Sequence, residues 1–268
     1  MAERQSFVGS KQNHAGARRP LDCVIVSLLD VIGPVMVGPS SSHTAGACRL
    51  ALLARHTLGT QPTVARFTLH GSFAKTARGH GTELALVAGA LGFAPDDPRI
   101  PDAFELAEQA GLRFEFESAD LGDVHPNSVR VRLWREGRDP GEAAVLDVMG
   151  SSLGGGLVKV FSLDGFRLEF SGAAPTLLVR HQDTPGVIAR VTRVIADDDV
   201  NVATLFCARK RKGGEAMMSV ECDRAISDAA ASYLLHLPSI AWLRQLPTVM
   251  SARSDGAHVE NATSRAAT

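Results

Sequence analysis

At 268 residues and 45% hydrophobic composition, the chain can bury a sizeable core, and its length suits two domains better than one. Its 28 Lys and Arg are offset by 29 Asp and Glu, a formal net charge of -1, which argues against a nucleic-acid partner and for a small uncharged or zwitterionic ligand. Cys23, Cys48, Cys207 and Cys222 are scattered without Cys-x-x-Cys spacing, so they make neither a disulfide framework nor a metal or iron-sulfur ligand set, and no apolar run reaches the roughly 18 residues of a membrane helix.

Residues 1–20 are polar and lack the apolar core of a secretory signal, so they read as a disordered arm of a cytoplasmic protein. Val24, Ile25, Leu28 and Leu29 fall at helical offsets and predict a short helix over 22–30. It leads into Gly33-Pro34-Val35-Met36-Val37-Gly38-Pro39-Ser40-Ser41-Ser42-His43-Thr44-Ala45-Gly46, the densest stretch of unusual chemistry in the chain. Gly38 and Pro39 break regular structure, and Ser and Thr favour helix N-termini because their oxygens accept free backbone N–H groups. A helix over about 42–57 is expected, with Ala47, Leu50, Ala51 and Ala54 as its buried stripe. Hydroxyls, an imidazole and open N–H donors at the positive end of a helix suit a carboxylate or phosphate. The simpler reading is a capped helix with a surface histidine. Gly-Pro pairs on both sides of Val35-Met36-Val37, and Gly46 in the first turn, favour the ligand reading.

Alternation of Ala65, Phe67 and Leu69 predicts a strand over 63–70, followed by a connection over 71–83 that carries Lys75, Arg78 and His80 and ends with Thr82 as the cap of a helix bearing Leu84, Val87, Ala88 and Leu91. His80 between two glycines is accessible to a ligand, whereas Lys75 and Arg78 fit solvent equally well. A turn at Asp96-Asp97-Pro98, a helix over 102–110, a strand over 113–117, the turn His125-Pro126-Asn127, and strands over 128–134 and 143–149 follow. Ser151, Ser152 and the glycines Gly154, Gly155 and Gly156 read as a loop or corner before a hairpin over 157–170 that turns at Asp164-Gly165. The small residues of 171–175 mark a domain boundary. Beyond it, strands over 176–181, 201–210, 215–222 and 240–246 and helices to Asp198 and over 226–236 follow the β-α-β-β-α-β order of a ferredoxin-like sandwich. Residues 251–268 read as a disordered tail.

The stretch at 32–46, Gly71-Ser72-Phe73-Ala74-Lys75-Thr76 with Gly79-His80-Gly81-Thr82, His125-Pro126-Asn127 and Gly154-Gly155-Gly156 together resemble, in order and spacing, the beta chain of bacterial iron-sulfur L-serine dehydratase. The segment Asp183-Thr184-Pro185-Gly186-Val187-Ile188 resembles an ACT domain. The resemblance covers about 22–246. Its implied architecture is α+β, a beta domain over 21–172 followed by an ACT domain over 173–250. The implied reaction is L-serine to pyruvate and ammonium, with a 4Fe-4S cluster whose cysteines lie in a separate alpha subunit, because this chain has no such domain.

On that resemblance His43 and His80 are the acid-base candidates, and Ser40, Ser41, Ser42, Thr44, Lys75, His125 and Asn127 the substrate-binding ones. Asp183, Pro185, Gly186 and Asn201 would hold an amino-acid effector against a paired domain, with homo-dimerisation through the ACT or beta domain; a dimerisation module without ligand is the other reading. Two further functions compete. One is a non-catalytic amino-acid sensor. The other is a serine hydrolase using Ser41 or Ser42 with His43, which lacks a Gly-x-Ser-x-Gly elbow.

Overall fold

The computed structural model describes residues 35–76, 79–138, 141 and 143–250; the expected arm over 1–20, helix over 22–30, Arg78 and tail over 251–268 lie outside the described residues. The opening stretch forms a wide π-type turn, Ser41–Gly46, that runs straight into α1, Ala47–Leu58. Ser40 caps the turn, its Oγ accepting the His43 N–H at 3.2 Å. The expected helix start is therefore met, but through a wider first turn than an α-helix has. α1 is also buried on more than a stripe, with Ala47, Cys48, Ala51, Leu53 and Ala54 all at 0% exposure. One side rests on the sheet and the other on a second helix, α3, where Gly89 admits the Cys48 carbonyl into the space a Cβ would occupy.

After β1 (Val64–Leu69) come α2 (Gly71–Thr76), α3 (Thr82–Leu91), a 3-10 turn at Ile100–Asp102, α4 (Ala103–Gln109) and β2 (Arg113–Ser118). β2 lies parallel to β1, so these helices form the crossover that parallel strands require. Strands β3 (Ser128–Trp134), β4 (Leu146–Gly154), β5 (Leu157–Leu163) and β6 (Phe166–Phe170) extend the sheet antiparallel, in the order β2-β1-β3-β4-β5-β6. Ala65, Phe67, Leu69, Val129, Val131, Leu133 and Val148 share the buried core, and registers pairing Phe67 with Val131 and Val131 with Val148 put them on one face. The alternate residues carry charge instead: Arg66 pairs with Glu115 at 2.7 Å, and Arg130 donates to Asp147 at 2.8 Å.

Three local expectations need correction. The connection after β1 contains a helix, α2. Thr82 does not cap α3: Gly81, at φ +68°, takes that position, and Thr82 sits inside the first turn with a buried hydroxyl that has no partner. β4 starts three residues later than expected and runs on through Ser151 and Ser152, because Gly150 has no side chain to collide with Leu50, whose Cδ2 lies 2.5 Å from the missing Cβ position.

The remaining elements are β7 (Thr176–Gln182), α5 (Val187–Asp197), β8 (Val202–Arg209), β9 (Glu215–Cys222), α6 (Asp228–Leu235) and β10 (Ile240–Leu246). They form an antiparallel sheet ordered β10-β7-β9-β8, the ferredoxin-like arrangement expected. Val187, Val191 and Ile195 of α5 and Leu234 of α6 cover one face, packing on Leu177, Val179 and Val220. From the other face Leu178, Met217 and Leu246 join the core of the first sheet, and β6 packs on β8 and β9. The two sheets therefore share one apolar interior across the 171–175 connection.

Candidate active site

The π-type turn presents its side chains ahead of α1; its His43 N–H is taken by Ser40 Oγ and its Thr44 N–H by Ser40 O at 2.8 Å, so the open donors are the N–H groups that precede His43. His43 is half-buried there. Its Nδ1 lies 3.1 Å from Ser42 Oγ and 3.4 Å from Ser40 Oγ, and its Nε2 lies 3.1 Å from Ser72 Oγ. The ring packs edge-on against Phe73, with centroids 5.3 Å apart, and beside the His80 ring at 5.0 Å. Thr44, buried, donates its hydroxyl to the His80 carbonyl at 3.1 Å, which ties the turn to the approach of α3.

Ser72 arrives from a different element, and backbone geometry fixes it. Gly71 has φ +56°, and Pro126 O lies 2.6 Å from where a Cβ would stand, so only glycine fits. The Ser72 N–H then donates to Pro126 O at 2.8 Å, fastening α2 to the His125-Pro126-Asn127 turn. That turn is held in its own right: the Asn127 carbonyl accepts the Ser152 N–H at 2.9 Å. Ser152 is fully buried, its hydroxyl has no partner, and it packs where a side chain on Gly46 would be. The buried Arg49 of α1 donates to Gly156 O at 2.5 Å, so the three-glycine turn joins the same neighbourhood.

The structure thus brings Ser40, Ser42, His43, Thr44 and His80 into one contiguous set, with Ser41 half-buried at the start of the same turn. Asn127 borders the set through its backbone. His125 is exposed and uses its Nδ1 to accept the Asn127 N–H at 3.1 Å. Lys75 is exposed and lines a different depression with Glu83, Phe116 and Glu117. Ser72 falls within a sequence motif but has no role of its own there, and Ser152, expected in a loop or corner, lies in β4 instead. A Gly-Ser pair just past the end of a strand was the available signal for Ser72; nothing local marks Ser152, whose place depends on β4 running beneath Gly46.

Burial, and secondarily the neighbouring His80, push the His43 pKa below its ordinary value of 6.5. The imidazole is therefore neutral at neutral pH and able to take a proton. Thiols do not offer comparable chemistry. Burial drives Cys48 up to about 12, and its Sγ donates to Phe93 O at 3.3 Å; burial also raises Cys207 and Cys222, on β8 and β9. Among the described residues no group of His, Cys, Asp or Glu is placed to hold a metal ion, and no helix is long and apolar enough to cross a membrane.

The effector candidates separate into two places. Asp183, Pro185 and Gly186 form the loop that opens α5, with Gly186 at φ +87°. Asp183 accepts the Gly213 N–H at 2.9 Å and Arg209 at 2.8 Å, contacts that hold its carboxyl below the usual carboxylate range. Asn201 follows the other end of α5 and donates to Asp223 at 3.1 Å. The eleven residues of α5 set these two places on the order of 16 Å apart within one chain. A groove of about 620 Å³ runs between α5 and α6, lined by Ala189, Arg190, Arg193, Ser227 and Tyr233.

Residues 27–111 match the family described as serine dehydratase beta chain, and residues 175–232 match the ACT domain. The chain is 42% identical over 214 residues to a probable L-serine dehydratase beta chain of Bacillus subtilis (strain 168), covering 80% of this chain and 94% of that protein. It is 41% identical over 210 residues to the L-serine dehydratase beta chain of Peptoniphilus asaccharolyticus, covering 78% and 92%. A D-3-phosphoglycerate dehydrogenase of Bacillus subtilis (strain 168) is 29% identical over 135 residues, which is 50% of this chain and 25% of that enzyme.

Proposed function

The chain belongs to the L-serine dehydratase beta chain family, and from that premise we propose that it is the substrate-holding subunit of an L-serine ammonia-lyase whose cluster-bearing alpha subunit is a separate chain. One observation carries the assignment of the site: a neutral His43, both ring nitrogens engaged by serine hydroxyls, stands at a helix start where a carboxylate would be bound. We read 21–172 as the beta domain and 173–250 as the ACT domain, and place the assembled enzyme in the cytoplasm.

The reaction removes the α-proton and the β-hydroxyl of L-serine; the resulting enamine tautomerises to an imine, which water hydrolyses to pyruvate and ammonium. Ser40, Ser41 and Ser42, with the N–H groups that open the turn, orient the carboxylate, several hydrogen bonds fixing an anion better than one, while Thr44, its hydroxyl committed to the His80 carbonyl, supports the pocket from behind. His43 takes the α-proton, and His80, its ring centroid 5.0 Å away, is the second acid-base group of the site. Lys75, His125 and Asn127 frame the approach to this set. A 4Fe-4S cluster would supply the Lewis acid for the departing hydroxide, but the cysteines among the described residues do not fit it: Cys48 is an un-ionised core thiol, and Cys207 and Cys222 lie in the second sheet. In this reading the cluster belongs to the alpha subunit, docked over the half-buried His43 and its serines. Pairing of two copies is supported by β8, an edge strand with Ala203, Thr204 and Leu205 exposed.

Reconstituted anaerobically with iron and sulfide, the chain forms pyruvate from L-serine only with an alpha subunit present. Full activity from the single chain would sink the proposal, and binding of L-serine without activity in any assembly would instead favour the sensor suggested by the phosphoglycerate dehydrogenase likeness. The ACT loop has its own test, run on the whole chain because the two sheets share a core. Calorimetry with L-serine counts two sites in the wild type and one in Asp183→Ala; an unchanged count removes the effector role of that loop.

A further inference from the structure

Both nitrogens of His43 have hydroxyl partners, but the partners are not equivalent. Ser40 and Ser42 sit on the Nδ1 side, at 3.4 and 3.1 Å, and belong to the turn that forms the anion-binding helix start. Ser72 alone sits on the Nε2 side, at 3.1 Å, and belongs to α2. Its position does not depend on a flexible side chain. Gly71 at φ +56° lies against the Pro126 carbonyl, and the Ser72 N–H is bound to that carbonyl at 2.8 Å. The Ser72 carbonyl is in turn occupied by the Thr76 hydroxyl at 2.9 Å. Phe73, at 0% exposure, packs its ring edge-on to His43 and so braces the imidazole beside the hydroxyl that contacts it.

From this arrangement we infer that Ser72 is the positioning residue of the catalytic histidine: its Oγ accepts the Nε2–H of His43, which holds the proton on Nε2 and leaves the Nδ1 lone pair facing the Ser40–Ser42 pocket as the atom that takes the α-proton. This rests on the assignment of His43 as base. The proton balance is simple. The Ser42 O–H, which donates to Nδ1 at 3.1 Å in the free chain, turns to the substrate carboxylate; the C–H bond of the substrate then breaks, its electron pair stays on carbon to form the new double bond as hydroxide leaves, and the proton arrives on Nδ1. The ring is then an imidazolium whose Nε2–H is still bound by Ser72. A hydroxyl that accepts from Nε2–H stabilises the imidazolium more than the neutral ring, so Ser72 supports the protonated product of the step as well as orienting the reactant.

Two measurements test this. The first needs no partner: with histidine labelled in both ring nitrogens, nitrogen NMR of the chain reports the His43 tautomer. The wild type carries the proton on Nε2, Ser72→Thr keeps it there, and Ser72→Ala shifts the population toward the Nδ1–H form and lowers the pH at which the ring titrates. A wild type already protonated on Nδ1, or a Ser72→Ala spectrum indistinguishable from wild type, overturns the inference. The second uses the assembled enzyme. Ser72→Ala lowers kcat about 10- to 100-fold, in the range typical of residues that orient a functional group, with KM little changed and the acid limb of the pH profile moved down, while Ser72→Thr recovers most of the rate. A raised KM at unchanged kcat would make Ser72 a substrate contact and reject the positioning role. His43→Ala serves as the control. Loss of activity there with a normal Ser72→Ala rate condemns this inference alone, whereas a normal His43→Ala rate condemns the assignment of the base beneath it.

Discussion

Replacing His43 by Ala in the assembled enzyme lowers kcat by about 10²- to 10⁴-fold, the usual range for removing a positioned general base, while KM changes far less. The asymmetry follows from position. The carboxylate is held by the serine hydroxyls and helix-start N–H groups, which survive the substitution, and the imidazole acts only when the proton moves. The pH profile carries a sign as well. Burial and His80 lower the His43 pKa, so the neutral, active base persists to more acid pH than an ordinary histidine would allow. The acid limb of kcat/KM therefore lies below the ordinary value of 6.5. His80→Gln removes the smaller of the two causes and moves that limb upward, while burial keeps it below the ordinary value. A limb at or above 6.5 in the wild type, or one unmoved in His80→Gln, would show that another group limits the rate.

How far the sequence foretold this site depends on which residues share an element. Ser40 to Gly46 are consecutive, and Ser/Thr chemistry at a helix start is local, so the helix start and the histidine within it were legible. The β-α-β-β-α-β order was legible for the same reason, since period and turn residues are properties of short windows. What escaped depended on contacts between elements distant in the chain. Ser72 meets His43 across 29 positions, and the meeting is set by the Pro126 carbonyl, which no local pattern announces. β4 runs through Ser151 and Ser152 because Gly150 accommodates Leu50 of α1. Thr82 looked like a cap by residue type, but glycine reaches the left-handed conformation at no steric cost, and Gly81 took the place. The shared core did leave a trace: Leu177-Leu178-Val179 and Ala216-Met217-Met218 are unbroken apolar runs, the pattern of strands covered on both faces, but such runs do not say what covers the second face, which here is the first sheet.

Gly71→Ala and Gly46→Ala destabilise the fold and misplace the site, but they differ in what can repair them. Gly46 has helical angles, φ -64° and ψ -42°, so alanine suits its backbone; its Cβ, however, enters the space of Ser152, whose own Cβ is 2.7 Å away. Overpacking of this kind costs about 1–3 kcal/mol. Because the obstruction is a side chain, Gly46→Ala combined with Ser152→Gly recovers most of the loss, a coupling that a double-mutant cycle measures. At Gly71 two penalties combine. A non-glycine residue at φ +56° costs about 1–2 kcal/mol, and the new Cβ meets the backbone oxygen of Pro126 at 2.6 Å and its Cα at 2.9 Å. No side-chain change removes a carbonyl, so Pro126→Ala fails to rescue Gly71→Ala. Strain there also pulls Ser72 from His43, and kcat falls together with stability. Denaturant unfolding of the chain separates the cases: equal, additive losses in both pairs would mean that neither glycine is required for close approach, and the convergence of α1, α2 and β4 on His43 would need another cause.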